Sequence, residues 1–169
     1  DLLQAGATVA IGVDGSAANN ASNLIDEVRN AMLLQRMFHG AHALSATQAL
    51  ELAILGGARL LRRDDLGVIA PGRCADLIAF DTRQLSLAGG LHDPLAGLVL
   101  CETGRVDLSI VNGQIVVAGG QLVNLDLPSL IDRHNRLARA LVARAEKRHS
   151  VTLTALTWRR AYPYQPSEA

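Results

Sequence analysis

Apolar positions change their spacing several times along this chain, and each change predicts an element. Thr8-Val9-Ala10-Ile11-Gly12-Val13 is a short apolar run that ends on Asp14 and leads into the small residues Gly15-Ser16-Ala17-Ala18-Asn19-Asn20. A short continuous apolar run bounded by turn residues predicts a buried strand. Ahead of it, Asp1-Leu2-Leu3-Gln4-Ala5-Gly6 reads as the end of a helix closed by glycine, the way a strand is approached in a repeating βα unit. A helix tail without its helix suggests the C-terminal piece of a longer protein.

Helical spacing follows. Leu24, Ile25, Val28, Ala31, Met32 and Gln35 share one side, with Asp26, Glu27, Arg29 and Asn30 opposite. This predicts a helix capped by Ser22 or Asn23 that ends at His39-Gly40. A second helix starts after Ser45 and carries Ala49, Leu50, Ala53 and Ile54, with Glu51 too far along to close a capping box. Gly56-Gly57 is expected to interrupt it at a tight packing corner between helices, before another turn at Ala58-Arg59-Leu60-Leu61.

The period then shortens. Short strands are expected at Gly67-Val68-Ile69, ahead of a type II Pro71-Gly72 turn, at 75–81 between Asp76 and Asp81 as turn formers, and at Leu98-Val99-Leu100-Cys101. Asn112-Gly113 between two β-branched runs is the clearest hairpin signal in the chain. Gly119-Gly120-Gln121-Leu122-Val123 closes the β region. From Pro128, the residues Leu130, Ile131, His134, Leu137, Ala138, Leu141 and Val142 predict a final helix whose arginine-rich face meets solvent. Residues 150–169, which include Trp158, show no period.

Composition narrows the function classes. The 169 residues are 49% hydrophobic, enough for a sizeable core, and 16 basic side chains balance 16 acidic ones. That balance gives no electrostatic footprint for nucleic acid, and no basic amphipathic helix marks a membrane surface. Two cysteines in unrelated contexts argue against a disulfide framework or a cysteine zinc cluster and favour a reducing, cytoplasmic compartment. Among polar residues, Asp14 is the first candidate for chemistry, because catalytic groups in barrel enzymes sit at the C-terminal ends of parallel strands. An aspartate after a strand also serves as a turn residue or helix cap. Ser16, Asn19 and Asn20 have the same two readings, turn formation or contact with a substrate or neighbouring loop.

Three segments, in order, carry a family resemblance. Gly12-Val13-Asp14-Gly15-Ser16 resembles the end of barrel strand eight in metal-dependent deaminases of the amidohydrolase superfamily. The run from Gly67 through Gly72 to Ala75-Asp76-Leu77 resembles the lead-in to their small β-sandwich, and Val111-Asn112-Gly113-Gln114-Ile115-Val116 resembles the hairpin within it. Val13-Asp14-Gly15-Ser16-Ala17-Ala18-Asn19-Asn20, Asn23-Leu24, Glu27-Val28-Arg29, His92-Asp93-Pro94, Asp126-Leu127-Pro128 and Arg133-His134-Asn135 are most similar to 8-oxoguanine deaminases and hydroxytriazine aminohydrolases.

The resemblance implies an α/β fold, the C-terminal part of a (β/α)₈ TIM barrel plus a small β-sandwich domain and a C-terminal helix. The expected divisions are 1–66 for the last barrel strand and its helices, 67–125 for the sandwich portion, 126–149 for the helix and 150–169 for a tail. It also implies one divalent metal, usually zinc, whose bound hydroxide attacks the amino-bearing carbon of an oxopurine-like ring. Asp14 matches the aspartate that both ligates the metal and accepts the water's proton. The other ligands that the resemblance implies, a His-x-His pair and later histidines, and the glutamate that completes the acid-base set, are not found here. His39, His42, His92, His134 and His149 form no such pair and read as structural or solvent-facing, His92 fixing a turn. The implied partners are a heterocyclic small molecule, the rest of the barrel and a second subunit. Hydrolysis of another C–N or C–Cl bond, as on a triazine, and a non-catalytic β-rich binding module are the competing readings.

Overall fold

The computed structural model describes residues 2–15, 18, 19, 21–101 and 105–152, which form two compact units dividing between Val123 and Asn124. Trp158 lies outside the described residues.

Within the first unit, the chain opens on turns at 2–6 that close as a helix end does. Gly6 sits at φ +75°, its N–H donating to the Leu3 carbonyl while Ala7 donates to Leu2, the paired bonds of a glycine-terminated helix. The predicted strand at 8–13 is extended, but it pairs with no strand among the described residues. Helix α1, Leu24–His39, is capped by the Asn23 side chain and ends at Gly40 as expected. Helix α2, Ala46–Glu51, begins at Ser45 with a complete capping box. Gln48 closes that box, three residues on, a partner the sequence reading passed over when it set Glu51 aside as too far along.

The glycine pair does not break the helix. Leu52–Gly56 continues α2 as a π turn, and α3, Gly57–Leu60, follows with helical backbone angles at both glycines. Gly56 is needed for space, not for a bend. A Cβ placed on it would lie 2.3 Å from the Val9 carbonyl oxygen and 3.3 Å from the Ala10 Cα, whereas one on Gly57 meets nothing within 4 Å. The tight corner therefore lies between this helix and the extended segment 8–13, not between two helices.

Two expected strands are absent. Gly67 and Gly72 both take φ +80°, and residues 67–69 join no ladder among the described residues, although Arg73 donates to Ala70 across the expected Pro71-Gly72 turn. Leu98–Cys101 belongs mostly to helix α4, Pro94–Leu100, capped by Asp93 with proline in the first turn. A short apolar run fits strand or buried helix equally, and here the Asp-Pro cap decides. Strands β1, Leu77–Ala79, β2, Leu108–Val111, β3, Gln114–Ala118, and β4, Gln121–Leu122, form an antiparallel sheet in that order. The hairpin turns where expected, with Asn112 and Gly113 at φ +48° and +77°, the left-handed pair a two-residue turn requires. Asp76, expected as a turn former, forms no turn; its carboxylate accepts the Asn112 N–H at 2.6 Å and ties the hairpin tip to the lead into β1.

The core is small and helical. Val28, Met32, Leu44, Ala46, Ala49, Leu50 and Val99 form one buried cluster, and Ile11 packs against it from the extended segment. Arg29 fastens α4 to α1, donating from Nε to the Val99 carbonyl at 2.6 Å and from Nη2 to that of Cys101 at 2.8 Å. In the second unit, α5, Leu127–His149, is capped by Asp126 and has no buried side chain. No helix among the described residues is long and apolar enough to cross a membrane.

Gly56→Ala is expected to lower stability by about 1–3 kcal/mol, the usual cost of forcing extra volume into a packed contact. Gly57→Ala should be neutral or stabilising by up to about 1 kcal/mol, from helix propensity. Urea unfolding of the two variants side by side tests the contrast.

Candidate active site

Asp14 lies where the extended segment leaves the helices. Val9, Ala10 and Ile11 are half-buried, whereas Asp14 and Gly15 are exposed. Asp14 takes φ +60°, a left-handed conformation that aspartate tolerates better than most residues. Its Oδ1 accepts the Gly15 N–H at 2.7 Å, and no other hydrogen bond reaches the carboxylate from the described residues. Among the described residues the side chain caps no helix, and Oδ2 takes no hydrogen bond.

The chain after Asp14 is wound by its own polar groups. The Gly15 carbonyl accepts from the N–H groups of Ala18 and Asn19, each at 2.9 Å. Asn19 then bonds in both directions. Its Oδ1 accepts from the N–H groups of Ala21 at 3.0 Å and Ser22 at 2.9 Å, and its Nδ2 donates to Glu27 Oε1 at 2.6 Å. Ser16 and Asn20, the other polar candidates of this stretch, lie outside the described residues. Glu27 and Arg29 were placed on the solvated side of α1 by spacing alone, yet both are half-buried and bonded. An Asn eight residues ahead of a first-turn Glu carries no motif by which sequence could pair them.

Each histidine reads as structural or solvent-facing in its own element. His39 and His42 are exposed near the end of α1, His134 and His149 are exposed on α5, and His92 places Nδ1 3.3 Å from the Gly89 carbonyl, within its turn. Among the described residues, no three His, Cys, Asp or Glu side chains come together as a metal-ion set. Asp81 forms the turn expected of it, accepting the Arg83 N–H at 2.9 Å. A groove of about 840 Å³, lined by apolar residues that include Leu24, Ile54, Phe80 and Leu98, opens beside α1 and β1 without Asp14 in its wall.

A second polar cluster joins Arg63, Asp65 and Cys74. Arg63 Nε donates to Asp65 Oδ1 at 2.8 Å, and the Cys74 thiol donates to Asp65 Oδ2 at 3.0 Å. The hydrogen bond from Arg63 holds the Asp65 carboxyl well below the usual carboxylate range. The hydrogen bond that the Cys74 thiol donates to that carboxylate pushes the thiol up, and partial burial adds to it. A thiol kept protonated is a poor nucleophile, so this cluster is a loop clamp.

The profile of the Amidohydrolase family matches residues 1–116. The chain is 47% identical over 143 residues to 8-oxoguanine deaminase of Pseudomonas aeruginosa, covering 85% of this chain and 32% of that protein. Its fold is similar to atrazine chlorohydrolase TrzN from Arthrobacter aurescens TC1 complexed with zinc, at TM-score 0.73 and 36% identity, covering 80% of this chain and 30% of that one. It is also similar to an adenosine deaminase from Xanthomonas campestris with bound zinc, at TM-score 0.75 and 31% identity, with 82% and 32% covered. The chain thus spans roughly a third of the length of these proteins.

Iodoacetamide labelling of Cys74 should rise at higher pH than that of an ordinary cysteine. Asp65→Asn should move the labelling curve to lower pH, because it removes the charge that disfavours the thiolate.

Proposed function

Because this chain belongs to the amidohydrolase family, we propose that it is the C-terminal portion of a metal-dependent aminohydrolase that deaminates an oxopurine-like heterocycle of the 8-oxoguanine type. In this reading residues 1–66 supply the last strand and helices of a (β/α)₈ barrel, 67–125 part of a β-sandwich, 126–149 a terminal helix and 150–169 a tail. The observation that carries it is the exposed Asp14 carboxylate, held through one oxygen at the outward end of the segment that resembles strand eight.

The donor set fits a divalent metal, zinc by analogy with the two similar structures, but only in part. A carboxylate oxygen is a suitable zinc donor, and a catalytic zinc takes about three protein ligands. Asp14 provides one, and the rest would come from the remainder of the barrel. The metal, when bound, supplies a water that ionises near neutral pH. Asp14 does the rest from this chain: the Gly15 N–H fixes Oδ1, leaving Oδ2 to take the attacking water's proton and pass it to the departing amine. The bond formed is between ring carbon and oxygen, the bond broken is between ring carbon and nitrogen, and ammonia leaves.

The likeness to atrazine chlorohydrolase supports a second reading, hydrolysis of a C–N or C–Cl bond on a triazine. Two free cysteines fit a cytoplasmic setting, and a homodimer of the full-length protein completes the proposal.

In the full-length protein, Asp14→Asn should cut ammonia release by about 10³-fold or more with folding retained. Near-normal turnover would remove Asp14 from the mechanism. Ammonia release across aminopurines and aminotriazines should favour 8-oxoguanine, and preference for a triazine would select the second reading. The 169-residue chain alone should retain no stoichiometric zinc after dialysis, as measured by metal analysis.

A further inference from the structure

Among the described residues the Asp14 carboxylate takes one hydrogen bond, from the Gly15 N–H, and polar contacts continue from there to α1. Both polar groups of Gly15 are engaged: its N–H holds Asp14 Oδ1, and its carbonyl accepts the Asn19 N–H. Asn19 uses its side-chain oxygen to gather the N–H groups of Ala21 and Ser22 and its side-chain nitrogen to reach Glu27 at 2.6 Å. Glu27 precedes Val28, which is fully buried in the core cluster. At 2.6 Å the bond from Asn19 to Glu27 is the shortest in the series.

We propose that Asn19, anchored by Glu27, is the positioning residue for the Asp14 carboxylate. This rests on the assignment of Asp14 as metal ligand and proton acceptor. It also decides between the two readings that spacing left open for Asn19. Its amide oxygen already serves two N–H groups and its nitrogen serves Glu27, so the side chain faces its own loop and helix and not a substrate. A carboxylate that must sit within a fraction of an ångström of its working position gains more from such support than from any added charge.

The test uses the full-length protein with Asn19→Ala, Glu27→Ala, the double variant and Glu27→Gln, which keeps a carbonyl acceptor for the Asn19 amide. The expected result is a 10- to 100-fold fall in kcat for each alanine variant, with KM changed less than about threefold. The double variant should be no worse than the singles, and Glu27→Gln should recover several-fold over Glu27→Ala. Without metal, hydrogen exchange at the Ala21 and Ser22 amides should accelerate in Asn19→Ala. If that variant fails to fold, Asn19→Asp keeps the oxygen acceptor, loses the donor to Glu27 and should show the same kcat loss. Normal kcat in Asn19→Ala, additive losses in the double variant, or a loss confined to KM would each overturn the proposal. If Asp14→Asn stays active, the assignment of Asp14 fails instead, whatever the exchange rates show.

Discussion

The contact on which this structure depends is a backbone one. Gly56 brings the helix α2–α3 so near Val9 and Ala10 that no side-chain carbon fits between them. That approach clamps the extended segment against the helical core on one side, with Ile11 packed against the buried cluster. The next residues then have nowhere to go but outward. Asp14 is exposed because the segment that carries it is pinned a few residues earlier.

Around this joint, polar groups do what a core of seven buried side chains cannot do alone. Arg29 reaches from α1 to the last carbonyls of α4, and Asp76 reaches across the sheet to the hairpin tip. Asn19 reaches from the loop to α1. The first two join segments far apart in sequence. Much of the apolar surface stays open, including the groove beside α1 and β1.

Sequence legibility followed the range of the interactions. Local signals were readable: the Asn23 cap, the Gly40 stop, the Asn112-Gly113 turn and the Pro128 helix start each depend on neighbours within a few positions. Short apolar runs were not, because Leu98–Cys101 satisfies both periods and only the Asp93-Pro94 cap separates them. The glycine pair was recognised as a packing point, but its partner, the Val9 carbonyl, is far away in sequence and could not be named. The candidate site divided in the same way. The exposed place of Asp14 after an apolar run was legible, whereas Glu27 and Arg29 looked like ordinary surface charges until the fold supplied their partners.

The most direct test of the central claim is the zinc position in a crystal of the full-length protein, located by anomalous scattering at the zinc edge. The account predicts a peak about 2.0–2.2 Å from an Asp14 carboxylate oxygen, within zinc bonding distance. A fully occupied zinc with Asp14 outside its coordination sphere would contradict it.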